Sequence, residues 1–216
     1  MDDLKPFKTN PKPLPLIHLN GHPGVGKLTI ARHLQTLINT HPDPALSARL
    51  VENHVLIDPC AALLDRTEPG YQSLRRALRA TVFEALSTNP ATHAHAYIFT
   101  ESQTTDLVGA TVCAEYVAAA RFRGCDLVSV VLSCEDEAEH LARVGAADRV
   151  ARGGKLTDAR FAQGLREKKR IYRYNNFAAA GGSLEVDVSD ISPEEAAKRI
   201  FRHVLDVCPE LKVPAA

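Results

Sequence analysis

Chemistry in this sequence concentrates first in Gly21-His-Pro-Gly-Val-Gly-Lys27, which is followed directly by Leu28 and Thr29. The run satisfies G-x-x-x-x-G-K and lies between a short apolar run, Leu14–Asn20, and a stretch of helical periodicity that begins at Lys27. That placement turns a pattern into a physical site. The glycines let the backbone curl closely around an anion and aim successive N–H groups inward. The helix behind them adds the positive end of its dipole, and Lys27 supplies a point charge. Gly21, His22, Gly24, Val25, Gly26, Lys27, Leu28 and Thr29 are therefore expected to bind the phosphates of a nucleoside triphosphate.

Further candidates lie downstream. Asn53, His54 and Asp58 fall at the C-terminal end of a second strand expected over Leu50–Ile57, and ligands of open parallel sheets bind beyond such ends. Asp58 has two readings: a carboxylate that orients or deprotonates an acceptor hydroxyl, or a cap on a short helix opening at Pro59. Arg75 and Arg79 stand one helical turn apart, spaced to grip an anionic acceptor or to lie on a solvated face. Arg166, Arg170 and Arg173 are placed on one face of a helix running from Thr157–Asp158 to about Tyr174. His93 and His95 have no third metal ligand near them in the sequence.

The elements that must hold these groups alternate regularly. After the helix from Lys27 to about Asn39, the HPDP run at 41–44 is a stop. Tyr71–Ser87 carries an apolar helical face. Ala94–Thr100 reads as a strand ending in Glu101, and roughly Thr105–Arg123 as a helix stopped by Gly124. Leu127–Leu132 is a nearly unbroken apolar run, as in an internal parallel strand. A helix is expected from Ser133 to about Arg143 with a Ser-x-x-Asp opening, a strand over Leu184–Val188, and a last helix capped by Ser192-Pro-Glu-Glu195. Alternation of this kind predicts a parallel sheet covered on both faces.

Lys+Arg and Asp+Glu both number 26, so no bulk positive field favours nucleic acid or an anionic membrane. No apolar run approaches a membrane span, and residues 1–13 read as a flexible leader without a signal core. The five cysteines show no CxxC pairing, which suggests free buried thiols, a reducing compartment and a cytoplasmic protein. A domain over 14–208 with a short tail, 209–216, is expected.

GHPGVGKLT resembles the loop of the nucleoside-monophosphate kinase group of P-loop kinases, G-x-P-G-x-G-K-G-T, with Leu28 in place of Gly. The group takes in adenylate and shikimate kinases and the chloramphenicol phosphotransferases. The resemblance covers roughly residues 14–206. It implies a three-layer α/β/α P-loop NTPase fold with a five-stranded parallel sheet in the order 2-3-1-4-5. It also implies a substrate-binding insert after the second strand (about 53–90) and an Arg-rich lid after the fourth (about 144–157). Arg143 would enter the lid and Arg149 and Arg152 lie within it, supplying charge to the moving phosphoryl group. Asp58 matches the acceptor carboxylate of antibiotic and shikimate kinases. Glu101 stands where P-loop proteins hold Mg²⁺ through water, and Thr29 is the other metal candidate. The sequence departs from adenylate kinases after the third strand, where FTESQ replaces D-G-F-P-R.

These residues suggest an ATP- and Mg²⁺-dependent transfer of the γ-phosphate to a small acceptor, either a nucleotide-like phosphate or a hydroxyl. The rivals are a nucleotide-dependent switch with slow ATPase activity and a binding module without catalysis. Asp58 or Glu101 across a pocket from Lys27 would favour the kinase; both pointing away would favour the binding module.

Overall fold

In the computed structural model, residues 12–42, 46–146, 158–174 and 183–212 are described. Five strands, β1 (Leu16–Gly21), β2 (Ala48–Glu52), β3 (Ala96–Glu101), β4 (Leu127–Ser133) and β5 (Leu184–Asp187), form one sheet in the order β2-β3-β1-β4-β5. Every neighbouring pair is parallel. Among the described residues the helices are α1 (Lys27–Asn39), α2 (His54–Ala61), α3 (Tyr71–Thr88), α4 (Leu107–Arg123), α5 (Glu137–Gly145), α6 (Ala159–Lys168) and α7 (Pro193–Val207).

Strand alternation divides the apolar side chains between two cores. Ile17 and Leu19 of β1 pack with Ile30 and Leu34 of α1 and with Ile200 and Val204 of α7. Leu16, Tyr97 and Phe99 face the other way, onto Phe83 of α3 and Tyr116 of α4. This is the three-layer α/β/α P-loop NTPase fold. Ser192 caps α7 by accepting the Glu195 N–H at 3.1 Å, and Gly124 ends α4 at a φ of 75°. The cysteines are free, and all but Cys125 are buried. No helix among the described residues is long and apolar enough to cross a membrane.

Four expected boundaries are corrected. The second strand stops at Glu52, and Val55–Ile57, expected as strand, belongs to α2 with Pro59 inside it. There, helical spacing buries Leu56, Ile57 and Cys60 together, which a strand would split between two faces. Asp136, not Ser133, caps α5, because β4 extends through Ser133. The helix capped by Asp158 ends at Lys168. Beyond it the chain runs beside the β3–α4 loop: Ile171 bridges Thr104, the Thr105 N–H donates to the Arg170 carbonyl, and the Tyr172 N–H to that of Gln103. Pairing with that loop removes Arg170 and Arg173 from any helix face shared with Arg166. Residues 147–157 of the expected lid, Arg149 and Arg152 among them, lie outside the described residues.

Candidate active site

The loop between β1 and α1 is built on two glycines that need a left-handed backbone, Gly24 at φ 99° and Gly26 at φ 91°. Gly26 caps α1 without any side-chain bond, leaving first-turn N–H groups for a ligand. Val25 is buried beneath the loop. Lys27 Nζ donates to the carbonyls of Gly21 at 2.7 Å and His22 at 2.8 Å. The loop also rests on α5: the ring of the buried His140 bonds the Pro23 carbonyl through Nε2 at 2.8 Å. Burial foremost pushes the His140 ring below its ordinary range. His22 is pushed down to about 4 by burial, then by the charges of Lys27, His140 and Arg166.

A Cβ on Gly24 would lie 2.4 Å from Val144 Cγ2 and 3.1 Å from His140 Nε2. Gly24→Ala therefore meets both a strained φ and a clash with α5. It is expected to lose about 1–3 kcal/mol of stability and to weaken nucleotide binding about tenfold, read by urea unfolding and calorimetric titration. Gly145→Ala, whose Cβ meets nothing within 4 Å, is the control.

From this loop a cleft of about 780 Å³ opens along the C-terminal ends of the strands. The β order puts the β2 and β5 ends at opposite edges with the loop between them. At the β2–β3 edge the wall is Glu52, Asn53, His54, Ile57, Arg66, Arg75, Thr100, Ser102, Gln103, Thr104 and Asp106. Toward β5 it is Arg143, Ala146, Val188, Ile191 and Pro193, with Phe161, Leu165 and Lys169 contributed by α6 and the residue after it. Asn20, at the end of β1, ties these parts together. Its amide donates to the carbonyls of Gln103 at 2.9 Å and Tyr172 at 3.1 Å, and its oxygen accepts the N–H groups of Gly21 and Gln103.

The residues singled out in the sequence are distributed unevenly over this wall. The whole run His22–Thr29 lines it, as do Asn53, His54, Arg75 and Arg143. Gly21 sits just below, its α-carbon so close to β4 that a Cβ would lie 2.5 Å from the Leu132 carbonyl oxygen. Arg75 Nη2 reaches Asn53 Oδ1 at 3.4 Å, and its Nε, shut away from solvent, has no hydrogen-bond partner among the described residues. Arg143 donates to Glu139 at 2.8 Å and to the Val188 and Ser189 carbonyls at 3.0 and 3.4 Å.

Three residues are placed elsewhere. Asp58 is off the wall and accepts from His54 Nδ1 at 2.9 Å. Arg79 does not join Arg75; it is buried in an ion pair with Glu115 at 2.6 Å. Glu101 closes β3 on the α3–α4 side, fully buried, accepting from Gln103 Nε2 at 2.7 Å and Tyr116 at 3.2 Å. Burial pushes its carboxyl up against the opposing charges of Arg75 and Arg79. Its neighbours Thr100 and Ser102 take the cleft side, as alternation along an extended chain requires. Neither Asp58 nor Glu101 thus lines the cleft that the phosphate loop opens into.

The sequence reading missed Glu52, Ser102, Gln103, Thr104, Asp106 and Lys169. Their signal was position, since four of the six directly follow the end of β3 or open the next helix. Asp106 caps α4 through the Gly109 N–H at 3.0 Å and pairs with Lys169 at 2.9 Å. The Gly109 bond first, then Lys169 and Thr104, hold its carboxyl down at about 2.

No family model matches the chain, and no curated protein matches it in sequence. Solved structures do. A gluconokinase from Sinorhizobium meliloti 1021 superposes with a TM-score of 0.58 at 14% identity, over 94% of this chain and 97% of its own. A shikimate kinase from Acinetobacter baumannii, in complex with shikimate, gives 0.53 at 14% identity over 93% and 97%. Kti12 from Chaetomium thermophilum, in complex with ADP-AlF3, gives 0.51 at 16% identity over 89% and 98%. The chain has the fold of the P-loop small-molecule kinases.

Proposed function

We propose that the protein is a phosphotransferase that moves the γ-phosphate of ATP to a small-molecule acceptor. The observation that carries this reading is the continuity of the cleft: the phosphate loop with Lys27 opens into a basic, partly apolar chamber that runs on to Asn53, His54 and Arg75. A module that only binds nucleotide has no need of that second half. Positive charge on the cleft from Lys27, Arg66, Arg75 and Lys169 suits a reaction whose transition state spreads negative charge over phosphoryl oxygens. At the β5 edge the nucleoside base would lie against Arg143, Val188, Ile191 and Pro193. The gluconokinase and shikimate kinase neighbours support a small acceptor.

The oxygens on the wall fit Mg²⁺ carried in on the nucleotide, because that ion keeps most of its water and needs few protein ligands. Thr29, exposed on the first turn of α1, and Ser102 would hold it, and Leu28 offers no oxygen. The ion would neutralise the β and γ oxygens. The five free thiols support a reducing compartment such as the cytoplasm.

A second reading, a nucleotide-binding module or switch without a small-molecule acceptor, is favoured by the positions of Asp58 and Glu101 off the wall. What weighs against it is that other groups suited to an acceptor, Glu52, His54 and Asp106, line the same cleft. The test is transfer of labelled γ-phosphate from MgATP to pooled nucleotides, nucleosides, sugars, hydroxy acids and aminocyclitols. Label on an acceptor is the expected result. Nucleotide binding with slow phosphate release and no labelled acceptor would establish the switch instead.

A further inference from the structure

We propose that His54 is the general base of the reaction and that Asp58 is its positioning residue. The inference rests on the phosphotransfer reading above and decides between the acceptor types left open there: the acceptor is a hydroxyl.

His54 opens α2 two residues after the end of β2 and lines the cleft. Asp58, one helical turn further on, does not. Its Oδ1 lies 2.9 Å from His54 Nδ1, and its side chain is 66% exposed. An ionised carboxylate only accepts, so Nδ1 carries the hydrogen and Nε2 carries the lone pair. The cleft therefore meets an imidazole with one defined basic atom, backed by a carboxylate that fixes its tautomer and steadies the charge it would gain. That is the arrangement of a base oriented by a third group. It also explains how the best-placed carboxylate of the sequence can matter without touching the acceptor.

The other groups suit the task less well. Asp106 is committed to three donors and held down at about 2. Glu101 is sealed beneath the wall. His22 sits on the phosphate loop beside Lys27, which opposes a second positive charge.

The step balances simply. The acceptor O–H bond breaks and its proton passes to His54 Nε2. The acceptor oxygen bonds to the γ-phosphorus, and the bond from that phosphorus to the β–γ bridging oxygen breaks, releasing ADP. His54 then loses the proton to solvent. A phosphate-ended acceptor arrives as an oxyanion and has no proton to give, so it would need arginines and no base.

The full chain is assayed with labelled MgATP against hydroxyl acceptors (shikimate, sugars, polyols and aminocyclitols) and, separately, against nucleoside monophosphates. The expected result is labelling of a hydroxyl acceptor. His54→Gln then lowers kcat about a hundredfold with acceptor KM and nucleotide Kd unchanged. Added imidazole restores turnover to His54→Ala, a rescue that a purely structural role or a misfolded variant would not show. Asp58→Asn loses about tenfold, and the double variant His54→Gln/Asp58→Asn is no slower than His54→Gln alone. Label on a hydroxyl with kcat of His54→Gln within threefold of wild type overturns the base and leaves the kinase standing. Label on nucleoside monophosphates alone does the same. No label on any acceptor overturns both.

Discussion

Replacing Lys27 with Ala is expected to lower γ-phosphoryl transfer about a thousandfold, some 4 kcal/mol of transition-state stabilisation, with the fold intact. Lys27 is the first residue of α1 and lies over the loop, its ammonium bonded to the carbonyls of Gly21 and His22. A triphosphate seated in the loop would offer that ammonium oxygens of opposite charge, whose charge grows on the bridging oxygen as transfer proceeds. Alanine removes the charge and leaves the glycine geometry that shapes the loop, so nucleotide binding should weaken less than turnover. Lys27→Arg separates charge from shape, since a planar guanidinium cannot replace a compact ammonium between two carbonyls.

The same substitution has an independent readout. After burial, the Lys27 charge is the largest cause holding His22 down at about 4. Without it His22 should titrate at higher pH, which ring-proton NMR reads directly. Turnover within tenfold of wild type would detach the reaction from this loop, and an unmoved His22 would mean that the ammonium does not sit where its carbonyl bonds place it.

The phosphate loop was legible in the sequence because its chemistry is local: glycines, a lysine and the strand–helix context are contiguous. The parallel sheet was legible for a similar reason, since β1, β3 and β4 are short apolar runs alternating with helices, whereas its strand order came only from the resemblance of the loop to that of the nucleoside-monophosphate kinases. The acceptor half was harder. Whether Glu101 or Thr100 faces the cleft depends on the parity of a single residue, and a reading that ends a strand correctly can still assign the wrong face. Arg75 and Arg79 are one turn apart, yet Glu115 on α4 captures only the second, a tertiary event that sequence spacing does not show. Lys169 reaches the wall because the chain leaves α6 and pairs with residues 103–105, a non-local contact. Asp58 carried a signal whose meaning changed: placed in a helix with His54, it becomes the partner of the group that faces the cleft.

The protein should begin to lose stability near pH 6.5, earlier than its carboxylates require, and His18 is the main reason. His18 lies in the middle of β1 with no exposure to solvent. Its ring stacks on Tyr116 at a centroid distance of 4.3 Å and meets the edge of Tyr174, whose hydroxyl is 3.1 Å from Nδ1. Nε2 has no partner. A protonated ring would need two acceptors and finds at most one, in a site that also feels the Lys27 charge. Burial first and Lys27 second push the ring down to about 3. The sign follows from where each state binds the proton. Above pH 6.5 both states are neutral and the residue adds no pH dependence. As pH falls below 6.5 the unfolded chain takes up a proton that the folded one refuses, and stability drains away until the pH nears 3. Between pH 6.5 and 4 the loss from this ring alone is on the order of 3 kcal/mol. His22 and His140, also held below their ordinary range, deepen it. His18→Phe keeps a ring on Tyr116 and removes the titration, at the cost of the bond to Tyr174. It is expected to lower stability at pH 7.5 and yet to flatten the curve below 6.5, so the two proteins converge on acidification. Urea unfolding at half-unit intervals from pH 7.5 to 4 measures this. Parallel curves would mean that the acid sensitivity comes from other groups and that His18 is a packing residue alone.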